Sequence, residues 1–232
     1  MGNPDQLCDS GVGMKIRIFE IFNSISGEVG LIPQGALATF VRFAGCNLKC
    51  TWCDTEVTQS PLVGRAMEVS QILVALETIG CPNIVLTGGE PLLQKDGLCR
   101  LVEDIKINHP DWIVQIETNG TYPIPSGLDR IVDCWVVDYK LPGAKTKSKQ
   151  SRLLSWLPEG SWVKFVCTDR KDFDKAIEVI KKSPDWKKVR LTFAFSAVSP
   201  SLKHTQLIEW LRELKMWGAV VNIQIHKVIE VK

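Results

Sequence analysis

Three cysteines fall within eight residues, in the segment Gly45-Cys46-Asn47-Leu48-Lys49-Cys50-Thr51-Trp52-Cys53-Asp54, with the spacing C-x3-C-x2-C. Separations this short let one loop wrap several thiolates around one metal centre. Cys46, Cys50 and Cys53 can ligate three irons of a [4Fe–4S] cluster and leave the fourth iron without a protein ligand, so that a small molecule can chelate there and receive an electron. A structural zinc is the alternative. It wants a closed set of four N or S ligands, and the fourth would come from a distant Cys or His, because none neighbours the loop. Free thiols packed so closely would oxidise readily. The iron–sulfur reading is the one adopted.

Two further segments place polar chemistry after apolar runs. Thr87-Gly88-Gly89-Glu90-Pro91 follows a short apolar stretch, and its glycines let the backbone approach a ligand closely, with N–H and C=O groups available to an ammonium or carboxylate. Alone, such a stretch is only a turn. Asp138-Tyr139-Lys140 also follows an apolar run and would set Asp138 and Lys140 at a strand end, as binding groups or as ordinary strand-end charges.

The elements that must position these residues alternate in type. Lys15 to Phe22 alternates apolar and polar, and Ala38 to Phe43 is a β-rich run. Ile72, Leu73, Leu76 and Ile79 recur at helical spacing, with Ser70 as the predicted N-cap and Gly80 as the stop. Short apolar strands are predicted at Asn83 to Thr87, Ile113 to Glu117, Cys134 to Asp138, Trp162 to Cys167 and Arg190 to Phe195, with a last one near Val220 to Ile225. Helices are predicted around Leu98 to Ile105, Phe173 to Ile180 and Leu207 to Leu214. Alternating βα units predict an α/β fold with a mainly parallel sheet, a partial (incomplete) βα barrel. In such sheets functional residues gather at the carboxyl ends of the strands. Cys46, Gly88, Glu117 and Asp138 all fall there.

Composition bounds the rest. A chain of 232 residues with 45% hydrophobic residues can bury a sizeable core in one domain, 14–232, after a loose polar extension, 1–13. A net charge of +2 argues against a dedicated nucleic-acid binder, and the basic run from Lys145 to Lys149 reads as a solvated loop. No apolar run reaches membrane-spanning length and no signal pattern opens the chain, so no membrane partner and a cytoplasmic setting are expected. Of the eight cysteines, Cys81, Cys99, Cys134 and Cys167 read as small core residues, and Cys8 is assigned nothing.

The loop of Cys46, Cys50 and Cys53 with the Gly-Gly-Glu-Pro stretch behind it resembles the radical S-adenosylmethionine (SAM) superfamily. Ser24-Ile25-Ser26-Gly27-Glu28, Phe40-Val41-Arg42-Phe43-Ala44-Gly45, Cys53-Asp54-Thr55, Ile116-Glu117-Thr118-Asn119-Gly120 and Gln224-Ile225-His226-Lys227 sharpen this. Together they resemble the 7-carboxy-7-deazaguanine synthase family over nearly the whole chain from Met14. The resemblance implies a carbon–nitrogen lyase that turns 6-carboxy-5,6,7,8-tetrahydropterin into 7-carboxy-7-deazaguanine and ammonia, on the route to queuosine. It also implies a [4Fe–4S] cluster, SAM used catalytically, Mg²⁺, an electron donor such as flavodoxin or ferredoxin, and a homodimer. A 5′-deoxyadenosyl radical takes hydrogen from C6 of the pterin in that family, so no side chain is assigned as catalytic.

By the same resemblance, Trp52, Asp54, Gly88, Gly89, Glu90, Asp138, Lys140 and Ser196 are expected at SAM. Ile25, Ser26, Gly27, Glu28, Arg42, Thr87, Glu117 and His226 are expected at the substrate, and Thr55 at Mg²⁺. The chemistry of the side chains suits this. Arg42 can fork onto a carboxylate, Glu28 and Glu117 can accept from the N–H edge of a 2-amino-pyrimidinone, and Thr55 offers a hard oxygen. Each also has a plainer reading: an ion pair for Arg42, a buried strand-end acid for Glu117, a cap for Thr55, and the end of the last strand for His226. The sequence departs from the family at Ser26, where Gln is usual, and at Asp138-Tyr139-Lys140, where some members carry Ser-Pro-Lys. The latter resembles glycyl-radical activating enzymes, the alternative function.

Overall fold

The computed structural model describes residues 13–148, 150, 153–183 and 190–231. The predicted extension up to residue 12, with Cys8, lies outside them, as does Lys149. Among the described residues nine strands form one sheet: β1 (Lys15–Ile25), β2 (Leu37–Phe43), β3 (Arg65–Glu68), β4 (Asn83–Gly88), β5 (Ile113–Thr118), β6 (Cys134–Tyr139), β7 (Trp162–Cys167), β8 (Thr192–Ala197) and β9 (Val220–Val221). Their order is β3-β1-β2-β4-β5-β6-β7-β8-β9. β1 runs antiparallel to β2 and β3, and every pairing from β2 to β9 is parallel. The sheet has two ends and does not close on itself. The helices are α1 (Val69–Ile79), α2 (Lys95–Asn108), α3 (Leu128–Ile131), α4 (Arg170–Lys182), α5 (His204–Glu213) and α6 (Ile225–Val228). Among the described residues no helix is long and apolar enough to cross a membrane.

Strand parity decides which side chains meet, because successive side chains point to opposite faces. One set (Val41 and Phe43, Ile84 and Leu86, Val114 and Ile116, Trp135 and Val137, Val163 and Phe165, Phe193 and Phe195) packs with the apolar stripes of α1, α2, α4 and α5 in one large core. The other set (Phe40 and Arg42, Thr87, Glu117, Val136 and Asp138, Lys164 and Val166, Ser196) faces a single cavity. Register carries this across the sheet: Arg42 lies opposite Thr87, Glu117 opposite Val136, and Asp138 opposite Lys164.

Where a closed barrel would complete the wall, the β1–β2 connection fills the inner face. The Ile32 amide donates to Gln115 Oε1 at 3.3 Å, the Val29 amide to Asn222 Oδ1 at 3.0 Å, and Gln34 Nε2 to the Ile223 carbonyl at 2.7 Å. Ile32, Ala38 and Val85 form a second, small apolar cluster, with Phe40 packed against it. A Cβ at Gly30 would lie 2.1 Å from Gln115 Oε1, so a side chain there would have to push the Gln115 amide off the Ile32 N–H.

Four local expectations need correcting. The N-cap of α1 is Glu68, not Ser70: Glu68 ends β3 in extended conformation, and its carboxylate and the Gln71 side chain form a reciprocal capping box. Gly80 does stop the helix, at φ +70°. The last strand is only Val220–Val221, and the chain then turns into α6, so His226 stands on a helix rather than at a strand end. Cys81 is half-buried, its thiol directed to the Leu37 carbonyl, whereas Cys99, Cys134 and Cys167 are buried.

Candidate active site

The cavity has a volume of about 740 Å³ and opens at the carboxyl ends of the parallel strands. Cys46, Cys50 and Cys53 line it, and all seven cysteines among the described residues are free thiols. Asn119 Nδ2 donates to Cys46 Sγ at 3.8 Å and the Leu48 amide approaches it at 3.5 Å, contacts that suit a sulfur carrying negative charge. Burial pushes the Cys46 and Cys50 thiols up, so loading of metal must expel their protons. Among the described residues no three His, Cys, Asp or Glu side chains close on one point as a single ion would require. A cubane cluster takes each thiolate on a different iron, and three thiols bordering one cavity supply that donor set.

The Gly-Gly-Glu-Pro stretch holds this loop in place. The Gly89 amide donates to the Phe43 carbonyl at 2.9 Å and the Glu90 amide to the Gly45 carbonyl at 2.8 Å. A Cβ at Gly89 would sit 2.1 Å from the Gly45 oxygen, and one at Gly88, where φ is +125°, 2.4 Å from Phe43 N and O. These glycines are therefore required by the backbone of the cysteine loop, beyond any approach to a ligand. Gly89→Ala is expected to displace residues 45–46 and cut the iron bound per chain to less than about half, measured by iron assay on protein whose circular dichroism matches wild type.

Glu90 does not line the cavity. It is fully buried, and its carboxylate accepts from Leu92 N at 3.0 Å, Thr118 Oγ1 at 2.7 Å and Asn119 N at 2.7 Å. It braces β4 against β5 rather than facing a cofactor. Ser26 is also outside, buried with its hydroxyl directed at the Glu28 and Ile32 carbonyls. Every other residue expected at the site borders the cavity, as Ile25, Gly27, Thr55, Ser196 and His226 illustrate. A Cβ at Gly27 would fall 1.8 Å from His226 Nδ1, so a side chain there would push the imidazole aside.

Charges on the inner face are paired across elements. Arg42 Nη1 donates to Glu20 Oε1 at 2.8 Å, the guanidinium lies 5.0 Å from the Phe22 ring centroid, and its Nε has no hydrogen-bond partner. Asp138 accepts from Lys140 at 2.9 Å, and that ammonium lies 4.6 Å from the Trp52 ring centroid. Asp138 Oδ1 and Trp52 Nε1 are buried without partners, two polar atoms that a ligand could satisfy. Glu117 accepts from Thr87 Oγ1 at 2.8 Å. Burial and the nearby charge of Glu28 push its carboxyl up to about 7. Asp54 is held low. Burial opposes its charge, but Lys227, at 3.2 Å, outweighs it with help from Lys164 and Gln224. The Thr55 hydroxyl lies 3.5 Å from Asp54.

Three residues of this network were not predicted at the site. Lys164 ion-pairs with Glu28 and lies 3.7 Å from Asp138. Gln224 Nε2 donates to Glu28 at 2.5 Å and to Asp54 at 3.3 Å, and Lys227 pairs with Asp54. Lys164 had a legible signal: it is the lone charge in an otherwise apolar strand, Trp-Val-Lys-Phe-Val-Cys.

Comparison with known proteins agrees with this geometry. Residues 40–182 match the model of the Radical SAM superfamily. The 7-carboxy-7-deazaguanine synthase of Clostridium acetobutylicum is 33% identical over 93% of this chain and 96% of its own length. That of Leptospira interrogans is 32% identical with the same coverage. The crystal structure of QueE from Escherichia coli shares the fold, with a TM-score of 0.68 at 22% identity over 90% of this chain and 93% of that one. A three-thiol loop at the strand ends, set in a half-open parallel sheet and matched over nearly its full length by these relatives, places the chain in the radical SAM superfamily and, within it, in the 7-carboxy-7-deazaguanine synthase family.

Proposed function

We propose that this chain converts 6-carboxy-5,6,7,8-tetrahydropterin into 7-carboxy-7-deazaguanine with release of ammonia. One observation carries the reading: a single cavity is bordered both by three thiols and by a guanidinium with two carboxylates, Arg42, Glu28 and Glu117. A [4Fe–4S] cluster held by Cys46, Cys50 and Cys53, with SAM on its open iron, supplies the one-electron chemistry that removes and returns a substrate hydrogen. The protein's part is binding, orientation and charge. Arg42 takes the pterin carboxylate through its free N–H groups. Glu28 and Glu117 take the 2-amino-pyrimidinone edge, and His226 closes the rim over Gly27. Asp138 and Lys140 serve SAM, with Trp52 stacked against the lysine. An activating enzyme for glycyl radicals needs an open groove for a protein loop. Here Gln224 links Glu28 to Asp54 and Lys227 pairs with Asp54 on the border of the cavity, which favours a small substrate.

The reading brings with it Mg²⁺ at Thr55, a flavodoxin- or ferredoxin-class electron donor, a homodimer and a cytoplasmic setting. Anaerobic incubation with SAM, dithionite and carboxytetrahydropterin should yield the deazapurine. SAM cleavage with no deazapurine would remove the pterin assignment. Mg²⁺ should stimulate turnover of the wild type by more than it stimulates Thr55→Ala. An equal metal response in both would take Thr55 out of the metal site.

A further inference from the structure

Lys164 is an ammonium on the inner face of β7 whose side chain is 13% exposed, and the function proposed above gives it no part. A lysine so enclosed keeps its charge only if partners compensate the lost hydration. Burial pulls its pKa down, but the carboxylates of Glu28, Asp138 and Glu117 outweigh burial and drive it up. The pairing is unequal. Its hydrogen bond goes to Glu28, Asp138 is at 3.7 Å, and Glu117 is reached by its field while receiving its hydrogen bond from Thr87.

The two carboxylates that face the substrate edge therefore sit in different environments. Glu28 is fixed by an ammonium on one oxygen and the Gln224 amide on the other, which leaves it a charged acceptor. Glu117 has burial and the Glu28 charge against its ionised form. A 2-amino-4-oxo-pyrimidine edge needs both kinds of partner, an acceptor for its N–H groups and a donor for its carbonyl oxygen or ring nitrogen. We propose that Lys164 is a positioning residue for the pterin, pinning the Glu28 carboxylate where it accepts from the N–H edge. The inference rests on the pterin reading and deepens it.

The sign of the pH dependence follows. The charges that reach Glu117 are Glu28, Lys164 and Asp54, and those that reach Lys164 are Glu28, Asp138 and Glu117. Pterin binding should weaken as pH rises through about 7, where Glu117 loses its proton. Lys164 lowers the proton affinity of Glu117, so removing its cation raises it. In Lys164→Met the alkaline loss of binding should then move to higher pH, while Glu28 becomes a poorer acceptor at every pH.

The test is the pterin KM and kcat of wild type, Lys164→Met and Lys164→Arg between pH 6 and 9, with SAM saturating and iron content and melting temperature measured alongside. Lys164→Met is expected to raise KM about tenfold or more, the loss of one charge-assisted hydrogen bond, to change kcat far less, and to shift the alkaline limb upward. Lys164→Arg should restore the limb. A KM and pH profile in Lys164→Met that match wild type overturn the proposal. So does a loss of turnover in both variants that tracks lost iron or a lowered melting temperature, which marks a purely structural lysine. If the wild type itself makes no deazapurine from the pterin, the functional reading has failed, an outcome separate from either result for Lys164.

Discussion

Cys50→Ala is expected to fold and to be inactive, with turnover lower than wild type by at least about 10³-fold, because a protein without its electron-transfer centre has no other source for the chemistry. Cys50 is only half-buried, and its loop is held by backbone bonds that the substitution leaves alone: Thr51 N to the Ala144 carbonyl at 3.2 Å and Thr51 Oγ1 to the Gly143 carbonyl at 2.9 Å. The stability cost should accordingly stay within about 1 kcal/mol, typical of a substitution away from the core. Iron content, turnover and a melting curve on one preparation check this. A Cys50→Ala protein that retained wild-type turnover would remove this thiol from the metal centre.

Arg42→Ala should lower kcat/KM for carboxytetrahydropterin by about 10²-fold or more, the loss of two charge-assisted hydrogen bonds at roughly 1.5–3 kcal/mol each. The cluster and uncoupled SAM cleavage should persist. Glu20 holds Nη1 from the neighbouring antiparallel strand, Phe22 supports the plane, and Nε is left without a partner. Arg42→Lys keeps the charge but not the planar fork, so it should recover only part of the loss. Unchanged kcat/KM in Arg42→Ala would defeat the carboxylate clamp and leave the residue as a partner of Glu20.

What the sequence made legible was local or periodic. The cysteine spacing is contained in one loop, and the parallel strands announce themselves as short apolar runs because both faces are buried. Period-two parity then sends Arg42, Thr87, Glu117 and Asp138 to one face without further information. What was not legible depends on long-range approach. The Gly88-Gly89 pair reads as space for a ligand, yet the atoms crowding it belong to Phe43 and Gly45, more than forty positions away along the chain. Glu90 looks like a ligand for an ammonium until Thr118 and Asn119 take its oxygens. Gln224 and Lys227 gain their meaning only when the C-terminal segment folds back on Glu28 and Asp54, separations of 196 and 173 residues. Lys164 is the intermediate case. Its parity was readable, but its ion pair with Glu28 required the β1–β2 connection to cross the inner face.

The measurement that bears most directly on the central claim is the metal centre of anaerobically purified protein, quantified and then titrated with SAM. The account predicts brown protein with about four irons per chain and a reduced-cluster electron paramagnetic resonance signal that changes when SAM is added, because SAM binds at an iron without a protein ligand. Colourless protein carrying one zinc, or a cluster whose signal is indifferent to SAM, would contradict it.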